Sequence, residues 1–251
     1  MSTDLVLRQD DGGVARLTLN DPDRANVLSR AMMQALSERV GAAGADPDIR
    51  VIVLAAAGRI FCAGHDLGEL RASDDRFEHE GIFAMCSDLM LAIGASPKPV
   101  IARVQGAAVA AGCQLAASCD LAFAAESARF AVSGINLGLF CSTPAVALSR
   151  MVGRKAALEM LLTGRFVTAA EAAAMGLINR AAPAADLDRL VDEAAAAIAG
   201  KAPRVVALGK ETFQQQIEMN IRDAYLLAGE RMVENLAFPE TRAGIDEFLK
   251  R

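Results

Sequence analysis

Apolar positions recur along this chain with two periods, and the switch between them outlines its elements. Residues 5–8 and 14–19 alternate apolar and polar side chains, the period of a half-buried strand, with Asp11-Gly12-Gly13 as a hairpin turn signal between them. Asp21-Pro22-Asp23 breaks the chain, and Ser29 stands where an N-cap belongs. The spacing of Met32, Leu36 and Val40 predicts a helix from there to about Gly44. Residues 50–55, which contain VIVLA, and residues 98–104 are apolar almost throughout, as expected of strands covered on both faces. A helix is predicted over 81–95, a short apolar helix over 110–118 and a strand over 121–124. Residues 127–130 read as extended, and the irregular stretch SGINLGLFCSTP follows. From Ala145 the pattern is helical, interrupted at Gly164, Gly176 and Pro183, and two or three helices are expected after Pro203.

Strands alternating with helices, then helices alone, predict an α/β core over 1–195 followed by a helical region over 196–251 that contacts other subunits. No solenoid repeat or low-complexity linker divides the 251 residues. Hydrophobic residues make up 53% of the chain, much of it Ala, and no apolar run is long enough to predict a membrane span. The net charge is −5 with no dense Lys/Arg cluster, so no nucleic-acid surface is expected. The polar, partly acidic start MSTDLVLRQDDGG lacks the pattern of a signal or transit peptide, and a cytoplasmic location is the expectation. Five cysteines without a CxxC pair read as reduced and buried, and two histidines, His65 and His79, predict no metal site.

Two segments rich in small residues follow predicted strands: FCAGHDL at 61–67 and QGAAVAAGC at 105–113. Small side chains there let a ligand approach the main chain, and a helix starting near Ala111 would aim free N–H groups at it. Neither segment is a nucleotide-binding glycine motif.

These segments, together with IFCAGHDLGEL at 60–70, KPVIARVQGAAVAAGCQLAASCDLAFAAESARFA at 98–131, NLG at 136–138 and MLLTGRFVTAAEAAAMGLINRA at 160–181, resemble the crotonase, or enoyl-CoA hydratase/isomerase, superfamily. The resemblance spans essentially the whole chain and includes EFLKR at 247–251. It implies a crotonase-like stack of ββα turns with a helical C-terminal trimerisation region. It also implies a homotrimer or dimer of trimers and a coenzyme A thioester as substrate, with no prosthetic group. By motif position the two oxyanion-hole N–H groups fall on His65 and Ala111, where the family more often has Gly at position 111. Coenzyme A is expected along Ala63, Asp66 and Leu67, with Arg24, Lys210, Phe248 and Arg251 completing its site.

The family pattern breaks at the proton-moving groups. The two glutamates of family hydratases correspond to Gln114 and Gly134, and an amide orients water but does not exchange protons near neutral pH. Gln114 is therefore expected to act by orientation alone. The AGHD form resembles a subset that includes malonyl-type decarboxylases, although their pocket tyrosine corresponds to Cys141 here. NLGLFCSTP and AGHDL are similar to the glutamate-lacking enoyl-CoA hydratase domain-containing branch. The expectation is an acyl-CoA enzyme of fatty-acid or carboxylic-acid metabolism that stabilises a thioester enolate, with hydratase competence in doubt. Decarboxylation or thioester hydrolysis involving His65, and acyl-CoA binding without turnover, are the alternatives. Cys141 as nucleophile and Glu69 as a carboxylate donor are lesser candidates, and Asp120 is expected to brace backbone.

Overall fold

The computed structural model describes residues 4–250, so the Arg251 expectation lies outside the described residues. The strands are β1 (Val6–Asp11), β2 (Val14–Leu19), β3 (Val51–Ala56), β4 (Ile60–Cys62), β5 (Val100–Val104), β6 (Ala107–Val109), β7 (Leu121–Ala125), β8 (Arg129–Ala131), β9 (Val167–Thr168) and β10 (Arg180–Ala182). The helices are α1 (Arg30–Ala45), α2 (Leu67–Arg71), α3 (Arg76–Ala95), α4 (Ala111–Ser118), α5 (Ser142–Met151), α6 (Arg154–Thr163), α7 (Ala169–Ala174), α8 (Leu187–Ala199), α9 (Pro203–Gln216), α10 (Ile221–Leu236) and α11 (Pro239–Phe248).

One sheet has the order β1-β2-β3-β5-β7-β10 and a second the order β4-β6-β8-β9. β1 and β2 pair antiparallel, Val6 opposite Leu19, and the large sheet continues parallel from β2 onward. From β3 to β8 consecutive strands alternate between the two sheets, so β3-β4, β5-β6 and β7-β8 each give one strand to each sheet before the chain turns helical. This is the expected stack of ββα turns. It leaves the ends of β4 and β6 side by side, where the two small-residue segments begin.

The burial of β3 explains its unbroken apolar run. Ile52 and Leu54 join the main core with α1 and α3, while Val51 and Val53 join a smaller core against α8. Alternate residues face opposite layers, so a strand covered on both sides has no polar face. Each fully buried side chain of this kind stabilises the fold by about 1.5–3 kcal/mol. α8 supplies Leu187, Leu190, Val191 and Ala195, one stripe at helical spacing. α1 is capped as expected, the Ser29 hydroxyl accepting from the Met32 N–H at 3.1 Å.

Two departures from the sequence reading have local causes. α3 begins at Arg76 rather than 81, because the Asp75 carboxylate caps it through the Phe77 N–H at 2.9 Å. Its first turn carries the exposed Phe77, which blurs the apolar period. The region after Ala145 is not helical alone: β9 and β10 are two and three residues long, too short to show a period, and are held by pairing with β8 and β7.

Lys210 on α9 docks the C-terminal helices. Its ammonium donates to the Ile93 and Lys98 carbonyls at 3.0 and 3.1 Å and to the Asp120 carboxylate at 2.6 Å. Among the described residues, no helix is long and apolar enough to cross a membrane.

Candidate active site

Between the two small-residue segments and the start of α5 lies a cavity of about 600 Å³. Its floor is formed by Ala63, His65 and Asp66 from one segment and Val109, Ala110 and Ala111 from the other. The segments follow β4 and β6 of the small sheet rather than the long strands β3 and β5. They meet because Gly64 has no side chain. A Cβ at Gly64 would lie 2.9 Å from the Val109 carbonyl oxygen, 3.0 Å from the Ala110 Cβ and 3.2 Å from the Ala111 nitrogen. Its φ of +96° is also a conformation that suits glycine.

Two backbone donors at this contact, those of His65 and Ala111, have no acceptor among the described residues. The Leu28 N–H donates to the Gly64 carbonyl at 2.8 Å and the Asp66 N–H to the Leu28 carbonyl at 3.4 Å. In such a parallel bridge the intervening residue, His65, turns its own N–H away from Leu28. Ala111 is the first residue of α4, where N–H groups have no partner within the helix. Neither the His65 nor the Ala111 amide donates to a protein acceptor. Ala110, which precedes α4, has φ +50° and ψ −117°, costing about 1–3 kcal/mol for a residue with a Cβ. Its N–H is held by the Ala131 carbonyl at 2.8 Å.

The side chains around the cavity are mostly apolar. Phe83, Leu70, Leu137, Leu139 and Phe140 form its upper wall. The sequence reading passed over this set, and only the irregular run at 133–144 signalled it. Among the described residues, the ionisable side chains lining the cavity are His65, Asp66 and Cys141, and no Lys or Arg lines it. Asp66 caps α2 by accepting from the Gly68 N–H, and its second oxygen pairs with Arg24. Burial holds the His65 imidazole below the usual histidine range, so its neutral form dominates at neutral pH. Burial raises the Cys141 thiol, partly offset by the Gly134 N–H that donates to its Sγ at 3.3 Å.

The expected site residues divide into two groups. Ala63, His65, Asp66, Leu67 and Ala111 line the cavity, and Arg24 sits at its edge through Asp66. Gln114 is not among the lining residues: it is 4% exposed in α4, which is buried almost throughout, with its carbonyl oxygen unpartnered. Phe248 is 74% exposed on α11, away from the lining. Lys210 is the plainest correction, since its three N–H donors are all engaged by the protein and none remains for a phosphate. Glu69 is likewise engaged, accepting the Arg30 N–H at 2.9 Å. At Gly134 no carboxylate fits, because a Cβ would lie 2.4 Å from the Leu139 oxygen and 2.8 Å from the Cys141 Sγ.

Comparison with known proteins bears on both fold and family. Residues 9–251 match the family described as enoyl-CoA hydratase/isomerase. Enoyl-CoA hydratase domain-containing protein 3, mitochondrial, of Xenopus laevis is 44% identical over 249 residues, covering 99% of this chain and 85% of that protein. The crystal structure of a Mycobacterium smegmatis enoyl-CoA hydratase superposes with a TM-score of 0.96 at 53% identity, covering 98% of this chain and 96% of that one. The human enoyl coenzyme A hydratase domain-containing protein 3 superposes at 0.95 with 42% identity, covering 98% and 97%. The cytoplasmic expectation is corrected by these relatives, because the frog protein and its mouse and human counterparts are named as mitochondrial. The absence of a recognisable leader pattern at the N-terminus was no basis for a location. From residue 9 to its last residue, the chain belongs to the enoyl-CoA hydratase/isomerase family.

Proposed function

We propose that this protein is an acyl-CoA enzyme whose chemistry passes through a thioester oxyanion held by the His65 and Ala111 backbone N–H groups. The observation that carries this reading is the Gly64 contact. It sets the two unpartnered amides on the same cavity wall, with 2.9–3.2 Å left for a Cβ between their segments. Donors already aimed at a developing charge need no reorganisation, and losing one such donor typically costs about 2.7–4 kcal/mol of barrier. The thioester is substrate, and the reading needs no prosthetic group. Arg24 at the cavity edge is the basic side chain placed to meet a coenzyme A phosphate. The metabolic setting that fits is fatty-acid or carboxylic-acid breakdown.

Hydration of the usual kind does not fit, because no carboxylate fits at position 134 and Gln114 carries an amide that does not exchange protons near neutral pH. A malonyl-type substrate would place a carboxylate where, among the described residues, no cation lines the wall, so an uncharged acyl group fits better. Binding without turnover is the second reading, favoured by that same lack of a carboxylate pair. The exposed apolar residues of α10, such as Ile221, Tyr225 and Val233, support subunit contacts through the C-terminal helices. Sedimentation showing a monomer at micromolar concentration would remove that part.

The test compares butyryl-CoA with its thioether analogue S-butyl-CoA, which lacks the carbonyl oxygen. Two hydrogen bonds of about 1 kcal/mol each predict a roughly 30-fold difference in Kd by titration calorimetry. Equal affinities would remove the oxyanion hole from the account.

A further inference from the structure

The cavity lacks the carboxylates that move protons elsewhere in the family, yet one acid–base side chain on its wall is uncommitted. Asp66 has one oxygen on the α2 amides and the other on Arg24. Cys141 already accepts the Gly134 N–H, and a thiol raised by burial is a poor base near neutral pH. His65 has no such engagement. Its Nε2 is buried with no hydrogen-bond partner, and its Nδ1, equally without a protein partner, is not buried. Phe83 meets the ring edge to face, with centroids 5.3 Å apart and planes at 77°.

Resting on the acyl-CoA reading above, we propose that the His65 imidazole is the proton-transfer group of this site, acting through Nδ1 on the α-carbon of the bound acyl group. Nε2 is buried without a hydrogen-bond partner and the ring packs on Phe83, so Nδ1, which is not buried, is the ring nitrogen open to a ligand. His65 then contributes twice, with its amide at the carbonyl oxygen and its ring at the adjacent carbon. In the step, the Cα–H proton passes to Nδ1 while the C–H electron pair moves into the thioester as an enolate. The imidazolium returns a proton to the same carbon, so nothing is oxidised and no group leaves. The other ionisable groups on the wall are Asp66, held by Arg24, and the Cys141 thiol. Asp66 is paired with Arg24, and burial raises the Cys141 thiol.

The experiment follows α-proton exchange of butyryl-CoA in deuterium oxide by mass spectrometry, beside butyryl-CoA affinity by calorimetry. The wild-type protein is expected to exchange the α-proton, with a rate that is level near neutral pH. The rate should fall only when acid protonates a ring held below the usual histidine range. His65→Gln and His65→Ala keep the backbone N–H. Both should lose exchange by at least about a hundred-fold, far more than they change the butyryl-CoA Kd. Added imidazole should restore part of it in His65→Ala. Exchange at wild-type rate in His65→Gln would overturn the proposal. So would wild-type protein that binds butyryl-CoA and exchanges nothing. Equal affinity for the thioester and its thioether analogue would instead count against the underlying reading, which separates the two failures.

Discussion

Replacing Gly64 by Ala tests the join between the two segments. At φ +96° an L side chain costs about 1–2 kcal/mol. The added Cβ would also lie 2.9 Å from the Val109 oxygen, 3.0 Å from the Ala110 Cβ and 3.2 Å from the Ala111 nitrogen. Two of these are backbone atoms of a segment that is pinned by the Ala110 N–H to the Ala131 carbonyl. They cannot rotate out of the way as a side chain would. Overpacking of this kind costs about 1–3 kcal/mol. Together the terms give a loss of roughly 2–5 kcal/mol, and a chain of this size loses about 2–4 °C of Tm per kcal/mol. A central value of about 3 kcal/mol therefore predicts a Tm lower by roughly 6–12 °C in a thermal scan. The functional effect is separate. Relief of the clash moves the Ala111 amide by tenths of an ångström, so the preference for butyryl-CoA over its thioether analogue should shrink. Unchanged Tm together with unchanged preference would refute the claim that the two segments meet at Gly64.

Three further outcomes follow from the same structure. Lys210→Met leaves the Asp120 carboxylate buried without its cation and should cost about 3–5 kcal/mol in denaturant unfolding, with acyl-CoA affinity intact; lost affinity at unchanged stability would restore Lys210 to the ligand site. Gly134→Glu, alone or with Gln114→Glu, should not confer crotonyl-CoA hydration, because its Cβ collides with the Leu139 carbonyl and Cys141 before the carboxylate reaches the cavity; hydration followed by loss of the enone absorbance would show room that the structure denies. Glu171 is held at about 2, against an ordinary 4.5, by the Thr168 N–H and then by Arg165 and the Thr168 hydroxyl. Its folded pKa is depressed, so its contribution is present above pH 4.5 and is lost as pH falls toward 2. Glu171→Gln should accordingly flatten the acid limb of a pH–stability curve in that window.

Much of the fold was legible because its period is strong. The VIVLA run, the Ser29 cap and the break at Gly164 each carry a local signal that the structure follows. β9 and β10 left no such signal, since two or three residues gain strand form only from a neighbour that is distant in sequence. The site divides in the same way. The segments AGHD and AAGC carry the motif in sequence, and His65 and Ala111 from them line the cavity. Lys210 could not be placed from sequence, because a lysine that binds a phosphate and one that clamps a carboxylate look alike along the chain. Only the approach of Asp120 and two carbonyls distinguishes them.

The sequence by itself determined the family, the longer strands and helices in their order, and the absence of a glutamate at 114 and 134. Those follow from residue identity and spacing, which are local properties. The tertiary structure decided what fills the empty place at 134, which basic residue is engaged elsewhere, and that the His65 ring stands in the cavity wall without a protein partner. Each of these depends on which atoms distant in sequence arrive within a few ångströms, and packing alone sets that.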